Sequence, residues 1–142
     1  MYNALSQLNY VAVLVTAVAG FLVGWLWYSP LLFGKSWMTE MKITEEMMKE
    51  KCAQKGMAGF FIKGFIYTVV STWGLAVLIQ SRAPTNMIKG VIIGAFVALV
   101  LVGARMLNGS VWEQRSAKLM AILIGHELVM FCVQGVILGA WL

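Results

Sequence analysis

Hydrophobic residues fall into four long runs, separated by three stretches that carry most of the charge. The runs cover about residues 9–28, 59–80, 86–107 and 118–142. A helix needs about 20 consecutive apolar residues to cross a bilayer, and each run reaches that length. The pattern therefore predicts an all-α integral membrane four-helix bundle with residues 1–142 forming a single four-span domain.

The last run contains a carboxylate, Glu127, so its insertion has to be weighed. A carboxylate near a helix centre costs about 2.5 to 3.5 kcal/mol, whereas each Leu, Ile, Val or Phe contributes roughly 0.3 to 0.6 kcal/mol in favour of insertion. Twelve such residues lie between Leu119 and Leu142. The sum favours spanning, with His126 and Gln134 expected to face neighbouring helices.

The first connector, residues 30–58, is the only long one. Thr44 is placed to cap a short amphipathic helix over about Glu45 to Gln54. That helix either lies on the cytoplasmic leaflet or folds against the end of the bundle, and the pattern does not separate the two. In the last connector, Asn108-Gly109-Ser110 has the composition of a turn.

Orientation follows from the distribution of basic residues, which are enriched in cytoplasmic loops. Two basic residues, Arg82 and Lys89, flank the second connector. Nine flank the other two: Lys35, Lys42, Lys49, Lys51, Lys55, Lys63, Arg105, Arg115 and Lys118. This asymmetry predicts cytoplasmic first and third connectors, with both termini periplasmic or extracellular.

Composition excludes other classes of protein. The chain has 142 residues, of which 61% are hydrophobic and 12% charged, whereas soluble domains have about 25% charged residues. The net charge of +5 forms no basic stripe interleaved with aromatics, so no nucleic acid partner is expected. With one His and no CxxC pair, no metal site within one chain is predicted.

The segment Asn9–Leu14 and the motif WYSPLLFGKSWM (Trp27–Met38), together with Trp112–Ser116 before the last helix, resemble a bacterial family of short membrane proteins known as domain of unknown function 1761. The resemblance covers almost the whole chain. It implies four spans and a location in the bacterial cytoplasmic (inner) membrane, and it implies no activity.

The best candidate for a site is a polar layer in the cytoplasmic half of the bundle. A rise of 1.5 Å per residue puts Tyr67 and Glu127 at roughly 12 and 13 Å depth, so they are level. Two stripes are expected to face each other, with Glu127 accepting from the Tyr67 hydroxyl. The stripes are Lys63, Tyr67 and Ser71 on the second helix and Glu127, Gln134 and Trp141 on the fourth, with Lys63 or Arg105 as counter-charge.

His126 is the alternative candidate. It could ligate a metal or haem together with Met130, one helical turn away. Because the chain has one His, ligation by two histidines requires an oligomer. A hydrogen bond to a neighbouring helix is the more common role of such a residue, so no cofactor is predicted.

Small residues recur every four positions and predict close helix packing. The glycines concerned are Gly20 and Gly24, Gly90 and Gly94, and Gly135 and Gly139. The pattern does not show whether the contacts lie within or between protomers. Because four small helices can hardly enclose a wide pathway, a homo-oligomer is expected.

Three classes of function are compatible with this sequence. The absence of a complete catalytic motif favours a non-enzymatic oligomeric bundle that is structural or binds a lipid or another apolar ligand. A small proton-coupled transporter or ion pathway using Glu127 is the alternative. A membrane-embedded enzyme acting on a lipophilic substrate is the third.

Overall fold

The chain is a bundle of helices without strands in the computed structural model, which describes residues 5–83 and 85–142. Within these residues, four helices are long and apolar enough to cross a membrane, which confirms the predicted fold class. They are α1 (Tyr10–Trp27), α4 (Met57–Gln80), α5 (Met87–Glu113) and α6 (Ala117–Trp141). Two short helices, α2 (Gly34–Glu40) and α3 (Glu45–Lys55), lie in the first connector.

Side-chain caps begin the helices where the sequence places short polar residues. The Asn9 side chain accepts from the backbone N–H groups of Val11 and Ala12. Asn86, Ser116 and Thr44 cap α5, α6 and α3 in the same way. These bonds satisfy first-turn donors that would be costly to bury in an apolar environment.

Helix α5 is longer than predicted, and the expected turn at Asn108-Gly109-Ser110 is wrong. The helix continues to Glu113 and ends at Gln114, which adopts a left-handed conformation (φ 51°). The Ser110 hydroxyl donates to the Leu107 carbonyl instead of breaking the helix. The middle of α5, Val97–Gly103, is a π-helix.

Helix α6 is the centre of the bundle, because α1, α4 and α5 all pack against it. Its closest neighbour is α5. A side-chain carbon at Gly90 would overlap the Gly135 carbonyl, and one at Gly94 would overlap the Phe131 carbonyl. The glycine stripes of α5 and α6 therefore contact each other within the protomer.

The first connector contacts the start of α6 through a hydrogen bond and an ion pair. Glu40, the last residue of α2, accepts a hydrogen bond from the Ser116 hydroxyl, and the Lys118 ammonium lies 3.6 Å from its carboxylate. Helix α3 matches the short helix predicted after Thr44, and its Met48 and Cys52 are partly buried. Helix α2 was not predicted. It begins within the WYSPLLFGKSWM motif, at Gly34, and ends at Glu40, two residues after the motif.

Candidate functional site

The WYSPLLFGKSWM motif folds back on the end of α1. The backbone N–H of Phe33 donates to the Trp27 carbonyl at 3.0 Å, and that of Gly34 donates to the Ser29 carbonyl at 3.0 Å. A side-chain carbon at Gly34 would overlap the Tyr28 carbonyl. Glycine is therefore required for the reversal that brings the rings of the motif together.

Those rings pack onto α6 at His126. The Tyr28 and Trp27 rings lie 5.1 and 6.3 Å from the imidazole, centre to centre. Phe33 stacks on Trp27 at 4.5 Å, and the Trp27 indole N–H donates to the Ile122 carbonyl at 3.1 Å. The motif thus contributes aromatic rings to a site inside the bundle.

His126 and Glu127 form a pair that the sequence did not predict. The His126 Nδ1 lies 3.2 Å from the Glu127 Oε1, and the two side chains are 12% and 23% exposed. An ionised carboxylate can only accept, so Nδ1 is then the donor. The other nitrogen, Nε2, is buried beside Gly24 and has no hydrogen-bond partner within the described part of the chain.

A cleft of about 560 Å³ lies between α1, α4 and α6, beside this pair. Three glycines, Gly20, Gly24 and Gly64, leave the space open by lacking side chains. The remaining lining residues are Phe21, Trp25, Tyr28, Ser29, Pro30, Phe61, Thr68, His126 and Met130. The lining is mostly apolar. The hydroxyl-bearing residues Tyr28 and Ser29 lie at the end nearest the first connector, and the third hydroxyl, that of Thr68 on α4, donates to the Gly64 carbonyl within its own helix.

A second polar contact lies deeper in the bundle. The Gln134 amide donates to the Thr72 hydroxyl at 2.8 Å, and both side chains are fully buried. The Thr72 hydroxyl in turn donates to the Thr68 carbonyl. The prediction that His126 and Gln134 face neighbouring helices is therefore confirmed.

The facing stripes expected for α4 and α6 are not formed. Tyr67 is 70% exposed and makes no hydrogen bond to Glu127, so that predicted contact is wrong. Lys63 and Arg105 are exposed, and neither forms an ion pair with Glu127 among residues 5–83 and 85–142. Ser71 bonds within its own helix, to the Thr68 carbonyl.

The inward face of α4 is offset by one residue, about 100°, from the predicted one. It carries Gly64, Thr68, Thr72 and Ala76, of which Thr72 and Ala76 are fully buried. These are small residues at spacing four, the same signal that was recognised in the other helices. Because a membrane favours small residues at helix contacts, that signal could have identified the face.

Metal ligands do not cluster in this region. No three His, Cys, Asp or Glu side chains come close enough to hold a metal ion in the part of the chain that the structure describes. His126 and Met130 do line the same cleft. The arrangement offers a carboxylate–imidazole pair on an apolar wall, which suits hydrogen bonding to a polar group or proton exchange.

The comparisons with known proteins place the chain in a family without a described activity. Residues 11–139 match the family model described as "Protein of unknown function (DUF1761)". Neither the curated proteins nor the solved structures contain a match.

Proposed function

The chain belongs to the DUF1761 family, and we propose that this member is a non-enzymatic membrane protein that holds one amphiphilic, lipid-like molecule in the cleft between α1, α4 and α6. The observation that carries the proposal is the cleft itself, whose walls are mostly apolar and whose end nearest the first connector carries the Tyr28 and Ser29 hydroxyls. Its volume of about 560 Å³ falls within the range of about 300–1,000 Å³ common for small-molecule sites.

The polarity of the cleft orients the ligand. Tyr28 lies at the end of α1 and Gly20 eight residues earlier, which is about 12 Å along the helix axis. A polar head would meet the Tyr28 and Ser29 end, where the membrane meets water. An apolar tail would then extend along Phe21 and Met130 toward Gly20.

Access to the cleft is from the surface that faces lipid. Trp25 and Phe61, at its rim, are 62% and 45% exposed. A molecule already dissolved in the bilayer therefore reaches the cleft without crossing water. This supports a ligand drawn from the membrane over a water-soluble metabolite.

A filled cleft tests the proposal. Gly64→Leu places a side chain in the cleft, where the Phe21 ring is the nearest neighbour. Gly74→Leu is the matched control, since that position on the same helix has nothing within 4 Å. The measured quantity is the thermal midpoint of unfolding of the detergent-solubilised protein. For the parent and for Gly74→Leu, we expect dodecan-1-ol to raise this midpoint more than dodecane does. For Gly64→Leu, we expect the two probes to raise it equally. Equal effects of the two probes on the parent, or an unchanged response in Gly64→Leu, would contradict the proposal.

We also propose the bacterial cytoplasmic membrane, with both termini on the periplasmic side. The support is the nine-to-two distribution of basic residues between the two sides. Cys52 lies in the first connector, and Cys132 lies within α6. In a Cys132→Ala background, a membrane-impermeant maleimide should label Cys52 in inverted vesicles and not in intact spheroplasts; the reverse result would invert the topology.

A homo-oligomer remains a prediction. The glycines of α5 and α6 meet inside the protomer, so they supply no contact between protomers, and the expectation still rests on the small size of a four-helix bundle. What supports assembly is a shallow apolar groove between α1 and α4, lined by Tyr10, Leu14, Val70 and Trp73 among others. Light scattering in mild detergent measures the mass directly, and a mass of one chain would end this prediction.

A proton pathway through Glu127 is the second candidate function. The observation that favours it is the Glu127–His126 pair inside the bundle, with Gln134 and Thr72 hydrogen bonded about two turns deeper along α6. Glu127→Gln should abolish pH-driven flux in proteoliposomes, because an amide carries no exchangeable acidic proton at neutral pH. Flux that persists in Glu127→Gln, or a parent without flux, would remove this candidate.

A further inference from the structure

A second groove lies at the other end of the bundle, between the end of α4 and the first half of α5. Its volume is about 420 Å³. Six apolar residues, Leu78, Ile92, Ile93, Phe96, Val97 and Leu101, form its walls, and two basic residues, Arg82 and Lys89, complete the lining. The groove is separate from the cleft at His126 and shares no residue with it.

The two basic residues, Arg82 and Lys89, give one end of this groove a positive charge, and we call this end the head of the groove. Both side chains belong to exposed residues at the junction of α4 and α5. The sequence contains no Asp or Glu from residue 51 to residue 112, so neither α4 nor the first half of α5 brings a carboxylate to this head. Two positive charges above an apolar wall are complementary to a phosphate that carries acyl chains.

The length of the groove matches one leaflet of a bilayer. Lys89 and Leu101 are twelve residues apart, which is about 18 Å along a helix. One leaflet of hydrocarbon is about half of the 30 Å core, or about 15 Å. An acyl chain that starts at the basic residues would therefore follow the groove to its deep end.

The deep end of the groove is formed by the π-helical part of α5. Val97 and Leu101 both lie in the π-helix Val97–Gly103, and π-helical turns occur often at functional sites. The groove-facing residues Ile92, Phe96 and Leu101 are 54–63% exposed. Their side chains are thus available to an acyl chain.

We infer that this groove binds an anionic phospholipid, with the phosphate held between Arg82 and Lys89 and one acyl chain lying along α5. Phosphatidylglycerol carries a net negative charge and phosphatidylcholine does not. Comparing the two with the same acyl chains therefore distinguishes recognition of the charge from simple solvation of an apolar surface. Inorganic phosphate separates recognition of a lipid from recognition of the free anion.

The experiment measures the concentration of each lipid that stabilises the detergent-solubilised protein against heat. We expect phosphatidylglycerol to act at lower concentration than phosphatidylcholine, and inorganic phosphate to have no effect. The double variant Arg82→Gln/Lys89→Gln should weaken the phosphatidylglycerol effect by about 30-fold, since each basic residue near an anionic headgroup contributes on the order of a factor of five. The variant Arg105→Gln/Arg115→Gln, which removes one charge from the last part of α5 and one from the connector that follows it, should retain the preference.

Three outcomes would overturn the inference. They are equal action of the two lipids on the parent, equal loss in both double variants, and stabilisation by inorganic phosphate alone. A salt titration of the parent gives a check that needs no variant, because screening should weaken the phosphatidylglycerol effect and leave the phosphatidylcholine effect unchanged. The exchanges Arg82→Lys and Lys89→Arg keep the charge and should keep the preference.

Discussion

The hydrogen bond between Gln134 and Thr72 offers the sharpest test of how the bundle is held together. It joins α6 to α4 at 2.8 Å, and both side chains are fully buried. The Gln134 Oε1 already has no hydrogen-bond partner within the described residues. Thr72→Val keeps the shape of the side chain and removes the acceptor, so the whole amide of Gln134 would be left unsatisfied.

The expected cost can be worked from these contacts. Leaving a buried polar group unsatisfied costs about 1–3 kcal/mol, so Thr72→Val should lower the free energy of unfolding by about that amount. Gln134→Leu should cost less, because the Thr72 hydroxyl still donates to the Thr68 carbonyl. In the double variant no amide remains to be satisfied, so its cost should be smaller than the sum of the two single costs.

The measurement is a double-mutant cycle of unfolding by sodium dodecyl sulfate in mixed micelles, followed by tryptophan fluorescence. Hydrogen bonds between membrane helices average about 0.6 kcal/mol and reach about 1.7 kcal/mol, so the coupling energy should fall in that interval. Ser71→Ala paired with Gln134→Leu is the control, because the Ser71 hydroxyl bonds only within α4. A coupling energy below about 0.3 kcal/mol for Thr72 and Gln134 would refute the reasoning, since independent sites add to within that error.

Two further predictions concern packing and are measured by the same unfolding assay. Gly90→Ala should cost about 1–3 kcal/mol, because the new carbon overlaps the Gly135 carbonyl. Gly74→Ala, in open space on α4, should be neutral or stabilise by up to about 1 kcal/mol; similar effects of the two changes would contradict the close approach of α5 and α6. Trp27→Phe should cost about 0.5–1.5 kcal/mol through loss of its hydrogen bond to α6, whereas Trp73→Phe, at a 42% exposed position, should cost less.

Short-range information in the sequence was enough to predict the four long helices and the short helix α3. Apolar runs long enough to span a bilayer predicted α1, α4, α5 and α6, and Thr44 correctly predicted where α3 begins. A cap involves only the three residues that follow it, so no tertiary contact is needed to recognise it. The end of α5 was missed because Asn108-Gly109-Ser110 has turn composition while its backbone continues as helix.

The rotation of each helix about its own axis was decided by tertiary packing. In water, the polar face of a helix marks its outside, whereas in a bilayer both the lipid-facing and the buried faces are apolar, so the pattern along α4 does not separate them. Packing against α6 turned Thr72 inward and left Tyr67 on the surface. The same packing brought Tyr28 onto His126, 98 positions later in the chain, and no local pattern could have joined them. The sequence alone thus determined which segments are long and apolar enough to cross a membrane, and the tertiary structure determined which of their polar groups meet.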